Sequence, residues 1–227
     1  MPVAAFQSVR SIEEFGRIRL SPSFFMRDFL HSEISQFTGI PNLPTDPDLA
    51  VYTGRMLCQT LLEPLQELFG RIAIRSAYRS AQINDIGSRK GYGCARNERN
   101  FARHIWDVRD ADGACGATAC IVIPWFADRY ARGEDWRALA WWLHDHLPYS
   151  ELTFYRRLCA FNIAWHERPK KVIRSLIAPT GVLRPSGTPS IEASHEDWYR
   201  HWGDKFLQPV ANRCNHDGAA FRHAQFF

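Results

Sequence analysis

The feature that most constrains the fold is a long stretch of helical periodicity at residues 46–69. Its apolar side chains share one broad face, formed by Leu49, Leu57, Leu61, Leu62, Leu65 and Leu68. Pro64 is expected to kink this helix or to mark a restart, and Gly70 is a good C-terminal stop. Residues 71–76 follow with apolar side chains at alternate positions, which predicts a strand. The chain therefore combines helices with a sheet.

The remaining elements continue this mixed pattern. Residues 24–37 predict one amphipathic helix or two short ones, and 125–146 predict one or two more. Asp112-Gly113 is a strong turn signal. Strands are predicted at 104–108, 117–123, 151–155 and 161–166, the last two as an antiparallel pair. This order indicates an α+β fold in which a small antiparallel sheet packs against helices.

Length and composition favour one soluble domain. The 227 residues carry a net charge of +4, without a basic stripe, so no nucleic-acid partner is predicted. No run is long enough to span a membrane, and the N-terminus does not resemble a signal peptide. Synthesis in the cytoplasm is expected, with release by lysis or a dedicated secretion system left open. We predict a domain at 21–180, an N-terminal extension at 1–20 and a C-terminal extension at 181–227 with a short aromatic helix.

The cysteines do not suggest a disulfide framework. There are six of them at irregular spacing, and none forms a Cys-x-x-Cys pair. In a chain of this size made in the cytoplasm, such cysteines are typically buried thiols that pack as small hydrophobic groups. We therefore expect most of them to be structural.

Two histidines and one arginine are candidates for a site. His104 and His166 lie on separate predicted strands, and Arg79 follows the strand at 71–76. Neutral imidazole is a common metal ligand, and a catalytic zinc needs three protein ligands with one position open for water. Cys120 is the third candidate, because its strand is expected to return beside His104. Its rivals are Asp107, Asp110 and Asp112.

Each candidate also has a structural interpretation. A histidine on a strand is more often a structural residue than a ligand, and Cys120 lies in an apolar run that is typical of a core. Arg79 could be a surface cation. Cys120 could instead be the nucleophile of a thiol enzyme, which would need a polar cleft and a lowered pKa.

Several motifs together resemble the zinc D-Ala-D-Ala carboxypeptidases and endopeptidases, peptidase family M15. The similarity covers about residues 20–170. It is carried by Ser23-Phe24-Phe25, Arg27-Asp28-Phe29, Gly39-Ile40-Pro41-Asn42-Leu43-Pro44, Leu61-Leu62-Glu63-Pro64-Leu65, Ile74-Arg75-Ser76-Ala77-Tyr78-Arg79-Ser80 with Asn84, and Trp165-His166. The Tyr-Arg-Ser part is the most specific.

The resemblance implies a fold of the hedgehog and DD-peptidase kind, with Zn²⁺ as cofactor and peptidoglycan peptides containing D-amino acids as substrates. The implied zinc ligands are His104, Cys120 and His166. Arg79 would stabilise the oxyanion or bind substrate, and Glu151 is the candidate general base. The implied substrate-binding residues are Ser76, Tyr78, Arg79 and Trp165.

Two positions depart from the family pattern. Cys120 stands where the family has an aspartate ligand, after an insertion that follows His104. The family's general-base glutamate shortly precedes its last histidine, but Asn162-Ile163-Ala164 stands there in this chain. Glu151 and Glu167 are the nearest glutamates. The sequence thus predicts a zinc peptidase, either a carboxypeptidase or an endopeptidase, and alternatively an inactive module of the same fold that binds cell wall or serves a structural role.

Overall fold

The structure, a computed structural model, describes residues 6–187 and 194–210. It is an α+β arrangement of helices and a six-stranded sheet. The helices are α1 (Val9–Gly16), α2 (Glu33–Thr38), α3 (Pro47–Leu57), α4 (Glu63–Phe69), α5 (Ala81–Arg89), α6 (Asn97–Asn100), α7 (Pro124–Ala131) and α8 (Trp136–His146). The strands are β1 (Ala73–Ser76), β2 (Gly116–Val122), β3 (Glu151–Phe154), β4 (Phe161–His166), β5 (Val172–Ser175) and β6 (Gly181–Arg184). The predicted fold class is confirmed at this level.

The long helix predicted at 46–69 is present. Asp46 caps its start by accepting a hydrogen bond from the Leu49 amide. Between α3 and α4 the chain makes one π-helical turn, Cys58–Leu62, immediately before Glu63-Pro64. A proline has no amide hydrogen to donate, so a helix must adjust its hydrogen bonds nearby, and a π turn is one such adjustment. The predicted irregularity at Pro64 is therefore a local turn within a continuous helical segment.

The predicted antiparallel sheet is in fact mixed. Its strand order is β1-β2-β4-β3-β5-β6, and β3 pairs with β5 in parallel. The prediction omitted β5 and β6, which are short and have weak alternation. It was right about β2, which lies between β1 and β4 with every residue buried, and about the antiparallel β3–β4 pair. Because β6 belongs to the sheet, the sheet continues into the predicted C-terminal extension.

The predicted strand at 104–108 is absent, since residues 101–108 form turns with a single bridge between Phe101 and Ile105. This segment crosses one end of the sheet, where the Thr118 amide donates to the Arg103 carbonyl over 2.9 Å. Buried Trp106 holds the segment by donating to the Thr118 carbonyl. The alternation that suggested a strand reflects burial of this turn, and His104 and Cys120 are not neighbours across a hairpin.

The two faces of the sheet differ in character. One face is apolar and packs on α3, α4 and α8, with Ala117, Ala119, Ile121, Leu152, Phe154, Ile163 and Trp165 in the core. The other face carries Cys120, Asn162 and His166, which alternate with core residues along β2 and β4. Candidate site chemistry is therefore concentrated on this second face, called the polar face below.

The C-terminal described segment packs on the helices. Residues 196–206 form three short 3-10 turns in place of the predicted helix, and Trp202 and Phe206 contact Phe69 and Trp125. Of the described cysteines, Cys58, Cys115, Cys120 and Cys159 are buried and none forms a disulfide, while Cys214 lies outside the described residues. A helix of membrane-spanning length and apolarity does not occur in the described chain.

Candidate functional site

A cleft of about 750 Å³ opens on the polar face near the end of β1. Its floor contains Ser76, Cys120 and Asn162, and its walls come from the start of α2 and from residues 92–95. A cleft of this size accommodates a small ligand. Four predicted site residues line it: Ser76, Arg79, His104 and Cys120.

Arg79 is held by a network in its own loop. Its amide donates to the His104 carbonyl over 2.8 Å. Asn42 fixes the flanking residues, because its side chain donates to the Tyr78 carbonyl and accepts from the Ser80 amide. Ser80 then caps α5 through the Ile83 amide. The backbone that carries the guanidinium is thus fixed on both sides.

The Arg79 guanidinium has spare hydrogen-bonding capacity. Nη1 donates to the Cys94 thiol over 2.6 Å, whereas the buried Nε has no partner among the described residues. Gly87 makes room for this thiol, since a Cβ on Gly87 would lie 2.5 Å from the Cys94 sulfur. Arg79 forms no ion pair with any described carboxylate. A half-buried guanidinium without an anion is suited to bind one.

Arg75 brings a second cation to the cleft. Ile74 pairs with Ile121 and Ser76 pairs with Cys120, so β1 has one extra residue at this point. The extra residue is Arg75, and this bulge redirects the local strand. Arg75 is exposed and, within the described chain, has no ion pair. Glu33 is an acidic residue at the cleft rim, but it is exposed and lies 3.8 Å from His31. The inner cleft is therefore cationic.

His104 is buried and neutral. Burial lowers its pKa to about 3, and the charges of Arg79 and Arg103 act in the same direction. Its Nδ1 lies 2.8 Å from the Ala77 carbonyl, so Nδ1 carries the proton and donates it. Nε2 of the neutral ring is then an acceptor.

Cys120 and Asn162 face each other across the β2–β4 ladder and meet in the cleft. The Asn162 amide donates to the Tyr155 hydroxyl over 3.0 Å. Burial raises the pKa of the Cys120 thiol and of Tyr155, so both are neutral near pH 7. The shift in Cys120 is opposite to the one that a nucleophilic cysteine requires. The cleft floor thus offers neutral polar groups.

His166 lies away from this cleft. Gly116 pairs with His166 and Cys120 pairs with Asn162, so His166 and Cys120 are four residues apart along the ladder, about 13 Å. His166 accepts from the Arg168 amide at Nδ1, and its Nε2 lies 3.1 Å from Asp110. Ligands of one zinc ion must approach it within about 2.3 Å. The structure does not bring His166 and Cys120 together as a metal site would require.

Three other predicted site residues also lie outside the cleft. Glu151 is buried and accepts hydrogen bonds from Arg103 and Arg174. Tyr78 is fully buried, and its hydroxyl donates to Asp107 over 3.1 Å. Trp165 belongs to the apolar core. Both aromatic side chains were predicted from the family resemblance; Trp165 lies on the opposite face of β4 from His166, and Tyr78 is buried beside Trp106.

Two of the three carboxylates considered as alternative ligands, those of Asp107 and Asp110, have other partners. Asp107 accepts from the Thr45 amide and Tyr78, Asp110 faces His166, and exposed Asp112 belongs to the same turn as Asp110. Within the described residues, no group of three or more His, Cys, Asp or Glu side chains is arranged to hold a metal ion. His104 and Cys120 supply two potential ligands where a catalytic zinc needs three. The predicted ligand set does not fit zinc as a group.

The sequence analysis did not select Arg75, Asn162, Tyr155 or Cys94. Asn162 could have been found by alternation, because it lies on the same strand face as His166 and opposite Cys120. Arg75 and Cys94 depend on a bulge and a loop conformation, which leave no periodic signal. No protein-family model, curated protein or solved structure matches this chain. The case for a function therefore rests on the chemistry of the cleft.

Proposed function

We propose that the chain is a binding module that holds the carboxylate of a short bacterial cell-wall peptide between Arg75 and Arg79, without hydrolysing it. We infer that its fold is a divergent form of the peptidase family M15 fold. The order of the motifs, and the Arg79 amide bonded to His104, support that inference. The single observation that carries the proposal is the Arg79 guanidinium, whose buried Nε lacks a described partner.

The lining of the cleft supports binding over catalysis. Peptide hydrolysis by a metal enzyme requires a general base close to the attacked carbonyl. The inner described lining provides Ser76, Cys120, Tyr155, Asn162 and His104, all neutral, with Glu33 only at the rim. The lowered pKa of His104 makes this histidine a weak base. Glu151, the predicted base, is engaged by two arginines. Such a lining can orient a peptide by hydrogen bonds while the arginines take its negative charge.

The exposed aromatic rim suits the rest of a peptide. Phe37 and Tyr92 line the cleft and are 79% and 48% exposed. An aromatic rim beside the two arginines of the cleft suits a ligand that has a carboxylate at one end and apolar side chains next to it. A peptide with a free C-terminal carboxylate has this character.

The test is calorimetric titration with the stem pentapeptide L-Ala-γ-D-Glu-L-Lys-D-Ala-D-Ala and with its C-terminal amide. Arg79→Gln should weaken binding of the acid about tenfold to a hundredfold, because it removes a charge-assisted hydrogen bond. The amide should bind the wild type about as weakly as the acid binds the variant. Arg132→Gln is the matched control, since Arg132 is exposed and outside the cleft. Equal binding of acid and amide would contradict the proposal.

Zinc-dependent peptidase activity is the second candidate. One observation favours it: the Nδ1 proton of His104 is held by a backbone carbonyl, as is usual for metal-binding histidines, which leaves Nε2 available. Protein purified without a tag or chelator should then contain about one zinc per chain. Zinc content and release of amino groups from peptidoglycan should both fall in His104→Ala and not in His201→Ala, a change at an exposed histidine outside the cleft. Metal-free wild type that takes up no added zinc would remove this candidate.

A further inference from the structure

Strand β1 is an edge strand that leaves its outer side without a strand partner in the described chain. Ala73 and Arg75 are exposed, and Ile74 and Ser76 are half-buried. An edge strand presents unpaired amide and carbonyl groups that can accept another extended segment. Its accessibility makes β1 a candidate surface for a peptide.

Successive halves of this strand line two different clefts. The first half, Ala73-Ile74, lines a second cleft of about 1220 Å³ together with Phe24 and Trp125. The second half, Arg75-Ser76, lines the cleft that contains Arg79. A ligand lying along β1 would therefore pass from an open, partly apolar groove to the cationic cleft.

The charges around β1 favour a ligand that presents a carboxylate over a second copy of this chain. Arg71 precedes the strand and Arg75 lies within it. Pairing two copies of this edge would bring cationic segments together, which is unfavourable. Asp28 also lines the groove, but it accepts a hydrogen bond from the Phe25 amide. The bulge at Arg75 further interrupts the edge, so only a short segment can pair with it.

We propose that the cell-wall peptide binds as a short added strand on the outer edge of β1, parallel to it, with its carboxyl end at Arg79. This inference rests on the proposed function, because it takes the carboxylate at Arg79 as its starting point. The direction follows from the chain: β1 runs from Ala73 to Ser76 and continues to Arg79. Three extended residues span about 10 Å, which is within the length of the four-residue strand β1.

The decisive experiment alters the ligand and leaves the protein unchanged. The stem pentapeptide is N-methylated at its lysine, at its first D-alanine or at its terminal D-alanine, one position at a time. Successive amides of an extended peptide point to opposite sides, so only alternate positions can donate to β1. We therefore expect that methylation of the first D-alanine weakens binding where methylation of the lysine and of the terminal D-alanine does not, or the reverse. Each methyl group that blocks a donor should weaken binding by about threefold to tenfold.

Hydrogen exchange gives an independent measurement. Saturating unmethylated peptide should slow exchange of those amides at 73–76 that face away from β2, and leave the amides of β6, the opposite edge of the sheet, unchanged. If the peptide binds tightly but all three N-methyl peptides behave alike and 73–76 are not protected, strand addition is wrong while carboxylate binding stands. If the unmethylated peptide does not bind, the proposed function fails and this inference falls with it.

Discussion

The polar face of the sheet has two ends, and they differ in how far their charged side chains form ion pairs. At the end with His104, Arg75 and Arg79 have no described carboxylate partner. At the end with His166, Glu151 binds both Arg103 and Arg174, and Asp110 faces the histidine. The second end lines a cleft of about 600 Å³, to which the exposed side chains of Arg99 and Lys170 also contribute, so the contrast concerns the less exposed charges of the two ends.

This difference separates a binding role from a structural one. Charges that are already paired gain little from a ligand, because their electrostatic attraction is satisfied within the protein. An unpaired guanidinium has lost part of its hydration without compensation, and an anion can restore it. The contrast therefore favours the proposed binding at the His104 end, and we expect the paired charges at the His166 end to support the fold.

The largest expected effect is acid destabilisation through His104. Burial, followed by the charges of Arg79 and Arg103, lowers the pKa of His104 to about 3 in the folded chain, from a usual value of 6.5. Between these pH values the unfolded chain binds a proton that the folded chain does not. Stability is therefore lost as the pH falls, by about 1.4 kcal/mol per pH unit. Urea unfolding from pH 7 to pH 4 measures this slope.

His104→Asn should flatten that slope, because asparagine can still donate to the Ala77 carbonyl but does not titrate. His31→Asn, at an exposed position, should leave the slope unchanged. An unaltered slope in His104→Asn would mean that another group controls the acid response, and the two ends of the polar face would then not differ in this way.

A smaller effect is expected at Glu151. Glu151→Gln keeps the shape of a buried side chain but removes the charge shared by Arg103 and Arg174. Because both arginines are nearly half exposed, water compensates in part, and we expect a loss of about 1–3 kcal/mol in the free energy of unfolding. Urea titration at pH 7 measures it. Peptide affinity should stay within about twofold, and a strong loss of affinity would mean that this end also binds ligand.

The smallest effect is expected at Asp110. Hydrogen bonds from the Ala114 and Asp112 amides, together with His166, outweigh partial burial and lower the pKa of this carboxyl. Asp110→Asn can retain the turn while it removes the charge that faces His166. We expect less than about 1 kcal/mol of destabilisation in thermal or urea unfolding. A loss of several kcal/mol would show that the His166 end depends on this pair.

Periodicity was sufficient to predict the long helix at 46–69, the buried strand β2 and the β3–β4 pair, because these elements bury one or both faces completely. It failed around Trp106, where a buried turn has the alternating pattern of a strand, and in β5 and β6, which are short. The site shows the same division. His104, Arg79 and Cys120 do line one cleft, but only the pairing register shows that Asn162, and not His166, lies opposite Cys120.

Because of the bulge in β1, the position of one cation in the cleft depends on the number of residues in this strand. Between its pairs with Ile121 and Cys120, β1 has one residue more than β2, and that residue is Arg75. Deletion of any one residue at 74–76 would restore a regular ladder and remove the site of the extra side chain, whatever residue was deleted. A deletion here would thus displace or remove the Arg75 side chain, and we expect it to weaken the proposed carboxylate binding even where Arg75 itself is retained.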